Sequence, residues 1–382
     1  MKKILSLLLA FLLTVCFPVS AFAEESETQT SSTQITATDE KKEKAIDERA
    51  KEILNSMTLE EKVAQMFMVY MPSENATSIQ KKYQFGGYLL FANNFKNNSY
   101  KKKQTQIKNY QKASKIKMLI AVDEEGGIVN RVSLYKQYRK SPFLSPRELY
   151  KKGGYNKIKK DTREKANLLL DLGINTNLAP VADVAYKSSN YIYSRSFSTS
   201  AKSTSKYIDI VVTEMGKKNL VSTLKHFPGY GNNGDTHSNI IRDKRSKKTF
   251  VTRDLLPFQS GIDAGCDMIM VSHNIVECFD KKNPASLSKK VHSYIRKEMN
   301  FDGVIISDGL GMAGVVDFVG GSTEEAAVRS VLAGNDMICA NNYKVQYPAV
   351  LKAVKNGRIK KSQINKSVLR ILKLKLNRKI IK

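Results

Sequence analysis

The chain has no tryptophan, and only four cysteines and four histidines in 382 residues. Cys16 lies inside an N-terminal apolar run, which leaves Cys266, Cys278 and Cys339 for a mature protein. An odd number excludes a fully paired disulfide framework, and no C-x-x-C spacing suggests zinc. Cys266 and Cys339 stand among apolar neighbours, as small buried hydrophobes do. Beyond the N-terminus no apolar run approaches the ~20 residues of a membrane span. No H-E-x-x-H or H-x-x-E-H pattern marks a zinc hydrolase, and no Gly-rich phosphate turn follows a strand-like run. Acidic residues are missing from the C-terminal tail: none follows Asp336, whereas KNGRIKKSQINKSVLRILKLKLNRKIIK is studded with Lys and Arg.

That imbalance runs through the molecule, with 63 Lys and Arg against 36 Asp and Glu and a formal net charge of +27. Such a surplus raises nucleic acid as a partner. The missing tryptophan, the lack of aromatic–basic interleaving in the tail and the export signal described next all speak against it. A polyanionic cell wall fits the charge; a solvated basic face that only keeps the protein soluble is the alternative.

Lys2 and Lys3 precede the apolar run Ile4 to Val19, and Ala21-Phe22-Ala23 supplies a small-x-small cleavage pattern. Residues 1–23 are therefore expected to be a secretory signal peptide, with a secreted product that the basic charge would hold at the wall. Cys16 raises a lipoprotein anchor instead, but Val15 stands where such a signal wants a small residue. Residues 24–46 are polar, have few large apolar side chains and predict a disordered spacer. Residues 47–382 are expected to form one catalytic domain.

Eight short apolar runs, QMFMVYM, GYLLF, MLIAVD, NTNLAPVAD, VSTLKHF, MIMVSH, GVIISD and DMICA, alternate with helical patterns such as TSKYIDIVVTEMGKK. Runs of this kind suit strands buried on both faces of a parallel sheet. Eight β-α units predict an α/β fold, a (β/α)8 TIM barrel; a doubly wound open sheet is the alternative. Polar residues gather at the C-terminal ends of the runs: Asp123, Asp183, Lys225, His226, His273 and Asp308. Barrel enzymes build their sites there.

Asp308, followed by Gly309-Leu310-Gly311, can attack an anomeric carbon or can cap the next helix. The stretch KHFPGYGNNGDTH holds two histidines in a turn-rich segment. Asp235 two residues before His237 suits a carboxylate that orients an imidazole for proton transfer. A zinc site of His226, Asp235 and His237, or a loop without chemistry, are the other readings. Asp123 and Arg131 suit bonding to sugar hydroxyls or a structural ion pair.

Together IAVDEEGG, NLAPVADV, RSF, KHFPGYG with D-T-H, DMIMVSH, GVIISD-x-L-x-M and AGNDM resemble glycoside hydrolase family 3, in its β-N-acetylhexosaminidase (NagZ-like) branch. The likeness runs from about Thr58 to about Ala340. It implies Asp308 as nucleophile, His237 as acid/base with Asp235 as its partner, and Asp123, Arg131, Arg195, Lys225 and His226 as holders of a terminal GlcNAc. It further implies retention of configuration, no metal and no organic cofactor. The expected activity is an exo-β-N-acetylglucosaminidase acting on peptidoglycan fragments or related glycans. A β-glucosidase or β-xylosidase of the same family, and a non-catalytic wall-binding protein on a decayed barrel, are the alternatives. Four departures from the family pattern stand out. Ile128 occupies a place where Arg is common, and Gly309 one where Asp is common. Ser198 to Ala201 replace G-x-D-P, and the loop from Gly231 to Asp235 is one residue shorter than in Gram-negative members.

Overall fold

All eight apolar runs form strands: β1 (Phe67–Tyr70), β2 (Gly87–Leu90), β3 (Leu119–Val122), β4 (Thr176–Asn177), β5 (Val221–Phe227), β6 (Met268–Val271), β7 (Val304–Gly309) and β8 (Met337–Ala340). Each pairs in parallel with its neighbours in sequence, and β1 pairs with β8, so the sheet closes into the expected (β/α)8 barrel. The molecule is seen in a computed structural model that describes residues 37–382. Strands β2, β3, β5, β6 and β8 are buried throughout. That is why their sequences read as continuous apolar runs rather than alternating ones. Burying each Val, Leu or Ile side chain contributes roughly 1.5–3 kcal/mol.

The run NTNLAPVAD is the exception. Only Thr176–Asn177 is regular strand; beyond it the chain stays tied to its neighbours by irregular bonds, Leu178 N–H to Val122 O, Thr223 N–H to Ala179 O and Ala182 N–H to Lys225 O. Pro180 has no N–H to give to a ladder.

Helix starts are set by hydroxyl caps. Thr58 and Ser145 make capping boxes with Glu61 and Glu148, and Pro146 follows as first helical residue of Pro146–Asp171. Ser200, Ser288 and Ser322 accept hydrogen bonds from the third amide of their helices. Each satisfies a backbone donor that would otherwise lack a partner.

The body from Glu43 to Lys382 is one compact unit. The signal reading lies outside the described residues, as does most of the spacer reading. Residues 37–46 are described, and they belong to helix Ala37–Ser56, so this part of the expected spacer is helical. Lys, Glu and Ala are strong helix formers, and Glu40 precedes Lys44 by four residues, a favourable pairing.

The basic tail is docked on the barrel. Helix Lys361–Asn377 buries Ile364, Val368, Ile371 and Leu372. Lys373 pairs with Asp47 at 2.6 Å, Arg370 with Asp302 at 2.9 Å, and Arg378, just beyond the helix, with Asp267 at 2.6 Å. Cys266, Cys278 and Cys339 are unpaired.

Candidate active site

Three consecutive acids follow β3 and do three different things. Asp123 accepts a hydrogen bond from Lys225 Nζ at 2.7 Å, and Arg131 stands 3.7 Å from its other oxygen. Glu124 turns away and accepts from the backbone N–H groups of Arg131, Val132 and Ser133, which closes the loop after the strand. Glu125 is buried between two cations. Arg195 grips it at 3.0 and 2.7 Å, and Lys225 Nζ lies 2.6 Å away. Burial alone would raise the Glu125 pKa, but Arg195 and Lys225 outweigh it and hold the carboxyl well below the usual range. Arg131 Nε is buried without a hydrogen-bond partner among the described residues.

Lys225 and His226 are adjacent, yet both enter this cluster. A regular strand would send them to opposite faces. The register between β5 and β6 shifts between Leu224 and Phe227, so three steps on β5 match two on β6. Such a bulge re-aims side chains. His226 Nδ1 donates to Asp183 at 2.7 Å, and its Nε2 accepts from Arg195 at 3.1 Å. Asp183 also accepts from the backbone N–H groups of His226 and Tyr230.

A second register shift lies between β7 and β8, where Met337 pairs with Ile306 and Cys339 with Gly309. Asp308 falls within it. Its Oδ1 accepts from the Gly309 N–H at 2.7 Å. Burial would push its pKa up; the nearby His226 and His273 imidazoles and the Gly309 amide outweigh that, and the carboxyl lies below its ordinary value. A carboxylate kept ionised is suited to nucleophilic attack and has no proton to give. His273 is buried behind it, donating from Nε2 to Gly309 O at 3.0 Å, with Ser286 on Nδ1 at 2.7 Å.

The loop after β5 carries the remaining pair. His237 Nδ1 donates to Asp235 Oδ1 at 2.6 Å, and the His237 backbone N–H donates to the same oxygen at 2.9 Å. The imidazole is exposed, so Nε2 faces outward from this bond. Burial would raise the Asp235 pKa, but the His237 amide and ring win and lower it. The loop is seated on the segment that follows Asp308. Gly314 N–H donates to Thr236 O at 3.0 Å, and Ala313 N–H to His237 O at 3.3 Å. A Cβ on Gly314 would lie 2.9 Å from Thr236 O, so only glycine permits this seat.

The structure therefore gathers Asp123, Arg131, Arg195, Lys225 and His226 in one cluster, and seats Asp235 and His237 beside the segment leaving Asp308. Glu125 and Asp183 belong to the cluster too, although no role was read for them in the sequence. For Asp183 the signal was present, since it ends the run NTNLAPVAD, whereas Glu125 lies two residues past the run MLIAVD. Among the described residues no three His, Cys, Asp or Glu are grouped to hold a metal ion. Of the departures, Ile128 stands 71 % exposed on the loop after β3 and cannot replace a buried contact. Ser200 instead caps helix Ala201–Lys217.

Residues 58–374 match the model of the glycosyl hydrolase family 3 N-terminal domain. The chain is 30% identical over 336 residues to β-hexosaminidase A of Pseudoalteromonas piscicida, covering 81% of this chain and 56% of that protein. It is 30% identical over 274 residues to a β-hexosaminidase of Methylococcus capsulatus, covering 71% and 80%. Among solved structures, a family 3 β-N-acetylglucosaminidase from Paenibacillus sp. superposes with a TM-score of 0.79 at 28% identity, over 85% of this chain and 63% of that one. A closed eight-stranded barrel, a strand-end carboxylate and a carboxylate–imidazole pair thus stand in a sequence whose match spans nearly the whole body. The chain belongs to glycoside hydrolase family 3.

Proposed function

We propose that the protein is a retaining exo-β-N-acetylglucosaminidase. The observation that carries this reading is the Asp235–His237 pair seated, through Thr236 and His237 carbonyls, on the segment leaving Asp308. A proton carrier and an ionised carboxylate are thereby supplied to one sugar linkage. Asp308 attacks the anomeric carbon while His237 protonates the departing glycosidic oxygen, forming a covalent glycosyl-enzyme. His237, now neutral, takes a proton from water, which attacks the same carbon and releases Asp308. Asp235 orients the ring and favours its charged form before the first step and after the second. Asp123, Arg131, Arg195, Lys225 and His226 hold the hydroxyls of the terminal sugar, with Glu125 and Asp183 fixing the cations and the imidazole. The likeness to the solved family 3 β-N-acetylglucosaminidase supports GlcNAc as that sugar, and the relatives named β-hexosaminidase are consistent with it.

The proposed setting is the cell wall, with peptidoglycan fragments as substrate. Its basis is the signal-like N-terminus and the net charge of +27. Much of the tail charge is engaged in ion pairs on the barrel, so wall attraction rests on the basic surface as a whole. No helix of the described residues is long and apolar enough to cross a membrane.

The test compares turnover of p-nitrophenyl β-GlcNAc and β-glucoside, and identifies by mass spectrometry the sugars released from wall digests by wild type and Asp308→Ala. GlcNAc released by wild type alone is expected. Preference for the glucoside, or turnover by Asp308→Ala, refutes the reading.

A further inference from the structure

The glycine after the proposed nucleophile is explained by a residue from another strand. A Cβ built on Gly309 would overlap the Tyr70 hydroxyl. Tyr70 is the last residue of β1, and β8 lies between β1 and β7 in the barrel. Its side chain therefore passes over the C-terminal end of β8, inside the mouth, to reach the residue next to Asp308. The ring is held on the way, edge-to-face on Phe91 with centroids 4.7 Å apart, and Phe91 in turn lies 5.9 Å from the Arg131 guanidinium. Tyr70 is thus tied at one end to the Asp123–Arg131 group and abuts Gly309 at the other.

Its hydroxyl has no hydrogen-bond partner among the described residues, and it is not one of the occluded polar atoms. A phenol in contact with the floor of a sugar site and without a partner there is ready to bond a ligand. Burial, then Cys339, Asp308 and Asp123, pushes its pKa upward, so the group remains a donor. Glycine at 309 and tyrosine at 70 are consequently a matched pair: any larger residue at 309 would expel the hydroxyl.

We infer that Tyr70 is a sugar-binding residue of this enzyme, donating a hydrogen bond to one hydroxyl of the terminal sugar in place of a side chain at position 309. The inference rests on the proposed glycosidase reading. Tyr70 then helps to choose which sugars the site accepts, because a donor left without its acceptor disfavours the analogue lacking it.

Tyr70→Phe keeps the ring on Phe91 and removes only the donor. The expected result with p-nitrophenyl β-GlcNAc is a fall in kcat/KM of about tenfold. A series of 3-, 4- and 6-deoxy substrates locates the bond: the analogue lacking the contacted hydroxyl is about tenfold poorer with wild type and no poorer with Tyr70→Phe. Gly309→Ala should impair the wild type yet add little to Tyr70→Phe, where the oxygen it would strike is gone. Unchanged kcat/KM in Tyr70→Phe, or an equal loss on every deoxy substrate, overturns the assignment while leaving the glycosidase intact. Wild type without turnover of any β-GlcNAc substrate overturns both.

Discussion

Arg195 holds Glu125 through two hydrogen bonds, Nε to Oε2 at 3.0 Å and Nη2 to Oε1 at 2.7 Å, and both side chains are largely buried. A paired guanidinium of this kind is fixed in plane and direction. The same carboxylate neutralises Lys225. Glu125→Gln would leave the buried Arg195 facing a neutral amide and Lys225 with Asp123 alone, and breaking a buried pair this way costs about 3–5 kcal/mol. Urea unfolding should show a loss of that order, and KM for the β-GlcNAc substrate should rise with it. Wild-type stability in the variant would mean that the three charges are not coupled.

Asp235→Asn addresses the proton carrier. Acid–base assistance is worth roughly 10²–10⁴-fold, so turnover of an alkyl glycoside should drop by about 10²-fold or more. A 2,4-dinitrophenyl glycoside, whose leaving group needs no proton, should lose much less in the first step. The Asp235 pKa is lowered in the fold. Its contribution to stability is therefore present above the unfolded carboxyl value and disappears as pH falls through the folded one. Wild type and Asp235→Asn should accordingly converge in Tm on acidification. An identical leaving-group dependence in the two proteins would remove His237 and Asp235 from the proton path.

Gly314→Ala tests the seat of the loop. The added methyl would press on Thr236 O and Asn239 O at 2.9 and 3.0 Å. The loop must shift, and a misplacement of about 1 Å in a catalytic group can cost on the order of 10²-fold. We expect kcat to fall while labelling of Asp308 by an activated 2-deoxy-2-fluoro glycoside persists. Loss of both would locate the damage at the nucleophile.

Lys375 is fully buried, donating to Gln65 Oε1 at 2.8 Å and Gly86 O at 3.1 Å, with no carboxylate in contact among the described residues. Burial lowers its pKa to about 7. The unfolded chain, with an ordinary lysine near 10.4, binds more protons between those two values. Stability of wild type therefore rises with pH across that window, and the penalty is greatest below it. Lys375→Met should be more stable than wild type at pH 6, with the difference shrinking toward pH 10, as followed by thermal unfolding. A difference independent of pH would show that Lys375 keeps its charge at no cost.

Much of the architecture was legible because it depends on short-range composition. Strands buried on both faces must be apolar throughout, so MLIAVD and GVIISD announce themselves, and the acids that end them mark one face of the barrel. Residues 37–46 lie in a helix, since low hydrophobicity argues against a core yet not against a charged helix. In NTNLAPVAD only Thr176 and Asn177 are regular strand, because the buried apolar residues beyond them bond to β3 and β5 irregularly. Asp308, Asp235 and His237 are candidates that spacing and family likeness single out. Glu125 stands last of three consecutive acids, and nothing local distinguishes the one that faces Arg195 from the one that binds backbone amides.

The amino-acid order alone determined the number of β-α units, the end of the barrel that carries polar groups and the Asp-x-His pairing, since each follows from contacts between near neighbours. Tertiary structure decided what depends on distant residues meeting. It set the two register shifts that turn Lys225, His226 and Asp308 toward one site, the choice of Glu125 over Glu124 as partner of Arg195, and the exclusion of any side chain at Gly309 by the Tyr70 hydroxyl. Register and close contact across strands are properties of the closed sheet, where residues far apart in the chain compete for one space, and no local pattern records the outcome.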